Sequence, residues 1–393
     1  MDFPAQQKVV EYFLTKGYQI DTDVLNYLCT TNSNIDGFAN FIEQKYPRAT
    51  TIGQNQLDSF LTQTTDSIIV FKEPTAVQKP YSVDTFLTHL QKRYDFIKSL
   101  LERRLELTNL TSIGKIGNSK HFSVIAFIRE VDYENNTMMA DDKTGSVIII
   151  FKESSKLEFL FTGEVVGIVC EKKGDNIIAQ NIVVPDVPIK KTITKTNKTI
   201  KCMFLSSFNS DDVVQQFCGK YEKWLESFGS GEKYIFVLGG ISKDDSKAKE
   251  ILKTVPQNCR KILIGSYDKT QYEDCSILQE PTLVRLSNIS ILLMSGAFLK
   301  KYETRITNPE NLIINLIKKR YLDPTYDSNH IFYENDPYLL GEIPDLIVIS
   351  DMKESKSFNY KGITTLLLED APPKPVFWAV DLETRETIKV DFP

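Results

Sequence analysis

Histidine is nearly missing from this chain. Its 393 residues contain three: His89, His121 and His330. That scarcity excludes a hydrolytic two-metal centre built on roughly four imidazoles. No CxxC pair occurs among the scattered cysteines Cys29, Cys170, Cys202, Cys218, Cys259 and Cys275. Neither a zinc knuckle nor a disulfide framework is indicated, and reduced, mostly buried thiols in a cytoplasmic protein are expected. No run of about 18 apolar residues exists, so no membrane span is expected. Met1 to Lys8 shows no basic stretch followed by an apolar core, so no secretory signal is expected either. A basic excess is lacking too: the net charge is −5. A protein that holds DNA unaided usually carries surplus Lys and Arg. Any DNA contact must therefore come from a local patch or a partner subunit, which favours a subunit over a free-standing nuclease. Phosphate loops of the G-x-x-x-x-G-K-[ST] type and G-x-S-x-G elbows are absent as well. No cofactor is indicated.

What is present suits a globular protein of two or three domains: 41% hydrophobic and 25% charged residues. Residues 1–48 read as short helices, with Val9, Val10, Phe13 and Leu14 on one face and Pro47 as a stop. This module either only packs or docks a partner. Residues 49–80 are rich in Thr, Gln, Ser and Pro and read as a linker. It has one apolar interruption, Gln54 to Leu61. Residues 81–188 begin with a long helix, with Phe86, Leu87, Leu90, Tyr94, Ile97, Leu100 and Leu101 on one side. Short β-branched runs follow at Phe122–Ile128, Val147–Phe151, Glu164–Cys170 and Asn176–Val184, split by turn signals. Four or five such strands suit a small barrel of the OB type. Phe122, Phe127 and Phe151 either fill it or line a face for single strands. Lys190, Lys191, Lys195 and Lys198 lie in a Thr-rich connector, a solvated stretch that is also the candidate DNA contact. From residue 189 to 393, strands and helices alternate, which reads as a layered α/β domain. The predicted fold class is thus a helical module, an OB-fold barrel and an α/β domain.

The order of elements after residue 201 resembles the calcineurin-like phosphoesterases. Those enzymes hold two metal ions on loops at successive strand ends, with D-x-H, G-D, G-N-H-D, His-Gly and G-H-x-H signatures. Here the framework of each signature stands without its ligands. Ser207 and Asn209 follow the first strand, and Gly240 follows the second. Ser266 and Tyr267 follow the third, Ser295 ends the fourth, and Asp351 with Lys353 replaces the last pair. Asp268, Asp345 and Asp351 remain as carboxylates suited to hold a hard cation at most loosely. By this resemblance no catalytic or metal-ligating residue is expected.

Several further stretches resemble the small (B) subunits of archaeal family-D DNA polymerases. They are Arg93-Tyr94 through Arg103, Ser112-Ile113, Asp141 to Gly145, Gly163 to Gly167, Pro185 to Pro188 and Tyr360-Lys361-Gly362. Each is weak alone; their order and spacing over residues 82–393 make the likeness. The resemblance implies a heterodimer with the large catalytic subunit and a role in DNA replication, with DNA held weakly and through the complex. In that family the small subunit usually carries a 3′–5′ proofreading exonuclease. This chain departs at every ligand and looks more like eukaryotic B-subunits, whose phosphoesterase domains are inactive scaffolds. Two alternatives stay open: a metal-dependent 3′–5′ exonuclease with an unorthodox site, and a stand-alone OB-type single-stranded DNA binder. Gln54, Leu57, Phe60 and Leu61 also resemble the sliding-clamp-binding peptide. One helical turn sets the three apolar residues on one face, and a packed fourth helix explains the same pattern. Phe377 and Trp378, beside Pro372 to Pro375, are either exposed anchors for the large subunit or a terminal strand packed on the core.

Overall fold

The computed structural model describes residues 3–30, 35–46, 49–54, 56–57, 69–72, 82–117, 119–154, 157–189, 193–206, 212–213, 215–218, 229–238, 251–265, 275–302, 306–325, 336–370 and 376–391.

Three helices, α1 (Phe3–Thr15), α2 (Thr22–Thr30) and α3 (Ile35–Lys45), form the N-terminal module. A short parallel pair, β1 (Gln19–Ile20) with β2 (Thr51–Ile52), closes it. Phe13, Phe38 and Ile42 are fully buried at its centre, and Leu57 joins them. Residues 49–80 are therefore not all linker. Their described parts are built into folded units, and β3 (Ile69–Lys72) pairs with a strand of the α/β domain.

Helix α4 (Val83–Leu101) starts at Ser82, whose side chain accepts from the Thr85 N–H, as an N-cap should. Its buried face is Arg93, Tyr94, Ile97 and Leu101. Leu87, expected on that face, is 47% exposed. The face packs on the outside of a closed five-stranded barrel made of β4 (His121–Asp132), β5 (Thr137–Asp142), β6 (Gly145–Phe151), β7 (Val165–Lys173) and β8 (Asn176–Val183). The barrel order is β4-β5-β6-β8-β7, and β6 and β8 run parallel. Val124, Ala126, Ile128, Ala140, Ile149, Val166 and Ile168 have no exposure and fill the interior. Strand alternation explains the arrangement, since alternate residues of each strand point inward.

The α/β domain stacks two six-stranded sheets. One has the order β12-β11-β10-β9-β18-β19, the other β16-β17-β15-β14-β13-β3. In the first, β9 (Ile200–Leu205), β10 (Glu232–Leu238), β11 (Cys259–Ile264) and β12 (Cys275–Leu278) run parallel. β18 (Val376–Asp381) and β19 (Thr387–Asp391) join by antiparallel pairing. In the second, β14 (Ile289–Ser295), β15 (Leu346–Met352) and β17 (Ile363–Glu369) run parallel. β13 (Thr282–Leu286) and β16 (Lys356–Tyr360) are antiparallel to their neighbours. Phe204, Phe236 and Ile262 of one sheet meet Leu293, Val348 and Leu366 of the other. Helix α5 (Pro309–Lys318), with Pro at its first turn and Asn308 as N-cap, covers the outer face of the second sheet.

The expectation that Phe377 and Trp378 sit in an exposed loop is corrected. They lie mid-strand in β18, 0% and 5% exposed, and the Trp378 indole donates to the Leu367 carbonyl. An indole buried this way must find an acceptor, and the packed-strand alternative is the one observed.

Candidate functional site

Parallel strands place their C-terminal ends on one side of a sheet, where α/β proteins collect chemistry. Ser295 ends β14 and stands opposite Ser350 of β15. Its hydroxyl donates to the Asp351 carboxylate and accepts from the Ala297 N–H at 3.1 Å. The Gly296 N–H donates to the Ser350 carbonyl at 2.8 Å. A Cβ on Gly296 would lie 2.6 Å from the Met352 sulfur and 2.7 Å from the Ser350 oxygen, so only glycine fits this crossing. Asp351 itself has a positive φ of 57°.

Glu280 completes the cluster, and sequence reasoning did not find it. It sits just before β13 and accepts from the Ser295 main chain. Burial pushes its carboxyl up to about 7, and the nearby Asp351 charge adds to the rise. Its Oε2 is buried without a hydrogen-bond partner among the described residues. A lone Glu in a Gln-Glu-Pro stretch carries no sequence signal for such a role; only the folded chain brings it to the end of β14. With its carboxyl raised toward neutral pH, Glu280 and Ser295 offer hydrogen bonds at the end of β14. Among the described residues, no group of three or more His, Cys, Asp and Glu side chains is placed to hold a metal ion.

The structure brings together Ser295 and Asp351, and leaves Lys353 exposed. Ser207, Asn209, Gly240, Ser266, Tyr267 and Asp268 lie outside the described residues, as does His330. Asp345 is buried and accepts from the Ser290 N–H and hydroxyl.

The candidate DNA-contact lysines belong elsewhere. The Lys195 carbonyl accepts from Asn288, which precedes β14, and Lys198 lies 3.6 Å from Glu232 at the start of β10. That segment runs along the N-terminal ends of the strands, the side away from Ser295. Lys190 and Lys191 lie outside the described residues. Of the three barrel phenylalanines, Phe122 and Phe151 fill the interior and Phe127 packs under α4. In the clamp-like segment Gln54 is exposed and Leu57 is 1% exposed within the module core. Phe60 and Leu61 lie outside the described residues.

The resemblance-bearing stretches turn out to be joints. Asp142 accepts from the main chains of Ile113, Thr144 and Gly145 and from the Thr144 hydroxyl, tying Ser112-Ile113 to the β5–β6 hairpin. Burial alone would raise its carboxyl, but these donors outweigh burial and lower it. Asp186 accepts from the Tyr360 hydroxyl at 3.0 Å and the Lys361 ammonium at 2.6 Å, so the Pro185–Pro188 and Tyr360–Gly362 stretches are one contact. Glu164 pairs with Lys319 of the α/β domain at 2.6 and 2.7 Å, both fully buried. Burial pushes the carboxyl up and the amine down, and each charge opposes the other's shift. Arg93 of α4 donates to the Gly163 and Pro324 carbonyls and, at 2.5 Å, to the Tyr321 hydroxyl. Asp336, 3.1 Å from His89 of the same helix, stays ionised: burial is outweighed by His89, Arg93 and Tyr321, which hold it at about 2. Gly163 has φ +92°, and a Cβ there would run into the Pro324 carbonyl. No helix of the described residues is long and apolar enough to cross a membrane.

No family model matches the chain. It is 20% identical to the DNA polymerase II small subunit of Archaeoglobus fulgidus, covering 90% of this chain and 89% of that one. It is 22% identical to the protein of the same name from Methanothermobacter thermautotrophicus, covering 72% and 71%. Among solved structures, an archaeal phosphodiesterase aligns with 49% of this chain and 99% of its own, at 11% identity and a TM-score of 0.29. Vacuolar protein sorting 29 from Cryptosporidium parvum aligns with 50% of this chain and 98% of its own, at 14% identity and a TM-score of 0.30.

Proposed function

We propose that this chain, similar along nine tenths of its length to an archaeal DNA polymerase II small subunit, is a non-catalytic accessory subunit that binds the large catalytic subunit of a family-D DNA polymerase. One observation carries the reading. The stretches that give the resemblance build the joints between α4, the barrel and the α/β domain, whereas the ligand positions hold Ser, Asn, Gly, Tyr, Asp and Lys and no His. Joints of this kind fix one shape, and a fixed shape without the imidazole ligands suits contact rather than hydrolysis. The barrel order β4-β5-β6-β8-β7 with a parallel β6–β8 pair supports an OB-fold. The interior placement of Phe122 and Phe151 and the covering of Phe127 argue against a stand-alone single-strand binder, which stacks bases on exposed aromatics. DNA then reaches this subunit through the complex. Co-expression with the large subunit of the same genome, followed by sizing, tests the reading. A stable heterodimer burying about 2,000 Å² or more is expected, as in permanent complexes. A chain that elutes alone beside a folded large subunit contradicts it.

A further inference from the structure

We propose that the outer side of the barrel, from the groove beside α4 across β5, β6 and β8, is a docking surface for an amphipathic helix of the large subunit that sets a Lys or Arg beside its apolar residues. The identity of the partner rests on the function proposed above; the surface stands on the structure itself. The groove has a volume of about 140 Å³ and lies between α4 and the β5–β6 hairpin, walled by Leu87, Leu90, Tyr94 and Phe127. Cavities of about 150 Å³ accept a benzene ring, so one aliphatic or aromatic side chain fits. Leu87 in its wall is 47% exposed. The apolar character continues beyond the groove. On β5, Asp141 stands opposite Phe127 of β4 and Ser146 of β6. Two residues along the same face, Met139 stands opposite Ile148, and next to it Ile150 stands opposite Ile178 of β8. Ile148 is 57% exposed. Among the described residues, these four side chains pack with neither the barrel interior nor the layer under α4. A contiguous exposed apolar face marks a contact with protein. Single-stranded DNA calls for exposed aromatic rings, and this face offers aliphatic side chains instead.

Charge selects the occupant. Three charged residues line the groove: Asp141, Asp142 and Lys143. Lys143 is already paired with Asp95 at 2.7 Å. Asp142 is taken up by the main chains of Ile113, Thr144 and Gly145. Asp141 is left over. Among the described residues its charge partner is Arg129 at 3.7 Å, itself 62% exposed, and its Oδ1 makes no hydrogen bond. Its side chain is 29% exposed, so an arriving cation reaches the carboxylate and forms the charge-assisted bond it lacks. The Tyr94 phenol reports the same field: burial, then the charges of Asp142, Asp95 and Glu102, push it up to about 12. A partner that places an apolar anchor in the groove, a cation at Asp141 and further aliphatic residues on Ile148 and Ile150 matches the surface in both shape and sign. The form of the segment follows from the barrel. It is closed, so it offers an extended peptide no free edge, and a helix lying on side chains fits.

The test titrates the full chain, fluorescently labelled, with the large subunit of the same genome. Leu87→Glu and Ile148→Glu should each weaken the heterodimer about tenfold or more, because a charge is set on the apolar contact. Asp141→Asn should weaken it about threefold and flatten its dependence on salt. Ile388→Glu, at an exposed position of β19, is the control and should leave the affinity unchanged. Amide exchange in α4 and in β5 and β6 should slow when the heterodimer forms. Melting of each free variant confirms that it folds, and should Leu87→Glu fail to fold, Ile148→Glu is read in its place. A heterodimer that Leu87→Glu and Ile148→Glu leave as tight as the wild type, with exchange in α4 and β5 unchanged on assembly, overturns this surface alone. A wild-type chain that forms no heterodimer overturns the proposed function and this surface with it.

Discussion

At the scale of single residues, the cluster at the end of β14 sets a buried carboxyl beside a hydroxyl–carboxylate pair. A buried carboxyl costs stability once it ionises. The Glu280 carboxyl is raised to about 7 from an ordinary 4.5. Its contribution is therefore fully present below about pH 4.5 and is lost as pH rises through 7, because the folded state binds more protons than the unfolded one across that window. Glu280→Gln should leave melting at pH 4.5 nearly unchanged and raise the melting temperature at pH 8. Equal shifts at both pH values would refute the assignment. The Glu164–Lys319 pair makes a second residue-scale case. Removing one partner strands a buried charge, so Lys319→Met should cost about 3–5 kcal/mol in denaturant unfolding. Restoring balance with Glu164→Leu in the same chain should recover most of that loss. A double variant as unstable as the single one would show that the packing, not the charge, matters.

At the scale of elements, legibility followed burial and local capping. β4, β6, β7 and β8 were legible because β-branched and aromatic residues recur between clear turns. β3 was not: four residues in a polar stretch become a strand only because β13 lies beside them. β19 was hidden for a different reason: Thr387-Ile388-Lys389-Val390-Asp391 alternates polar and apolar residues but is only five residues long, and Ile388 stays 46% exposed. Phe377-Trp378 beside a Pro-rich stretch looked like a loop anchor, yet β18 needs both rings in the core. Ser295 and Asp351 were placed near strand ends by the sequence and meet there, whereas Glu280 was invisible because nothing local marks it. The segment at Leu57 gives a direct prediction. Leu57 is packed with Phe13 and Phe38, so Leu57→Ala should destabilise the N-terminal module by about 2–5 kcal/mol, read by exchange protection of α1 and α3. A clamp contact through Gln54, Leu57, Phe60 and Leu61 would require Leu57 to leave that core. Unchanged protection in the variant would favour the presented peptide over the packed helix.

At the scale of the whole molecule, α4, the barrel and the α/β domain are held by buried ionic and hydrogen-bonded joints rather than by a loose hinge. Arg93 and Lys319 each bridge units through carbonyls and carboxylates out of solvent. Such a body suits a subunit whose task is to present one surface. Its acidic balance suits a protein that meets DNA beside a partner. The measurement that bears most directly on this account is 3′-end degradation of single-stranded DNA, with manganese, by the complex of this chain with the large subunit. It is made with the wild-type chain and with the double variant Glu280→Ala/Asp351→Ala. The account predicts that both complexes assemble equally and that no degradation depends on those carboxylates. Manganese-dependent degradation by the wild-type complex, abolished in an equally assembled variant, would show that the end of β14 is an active site after all.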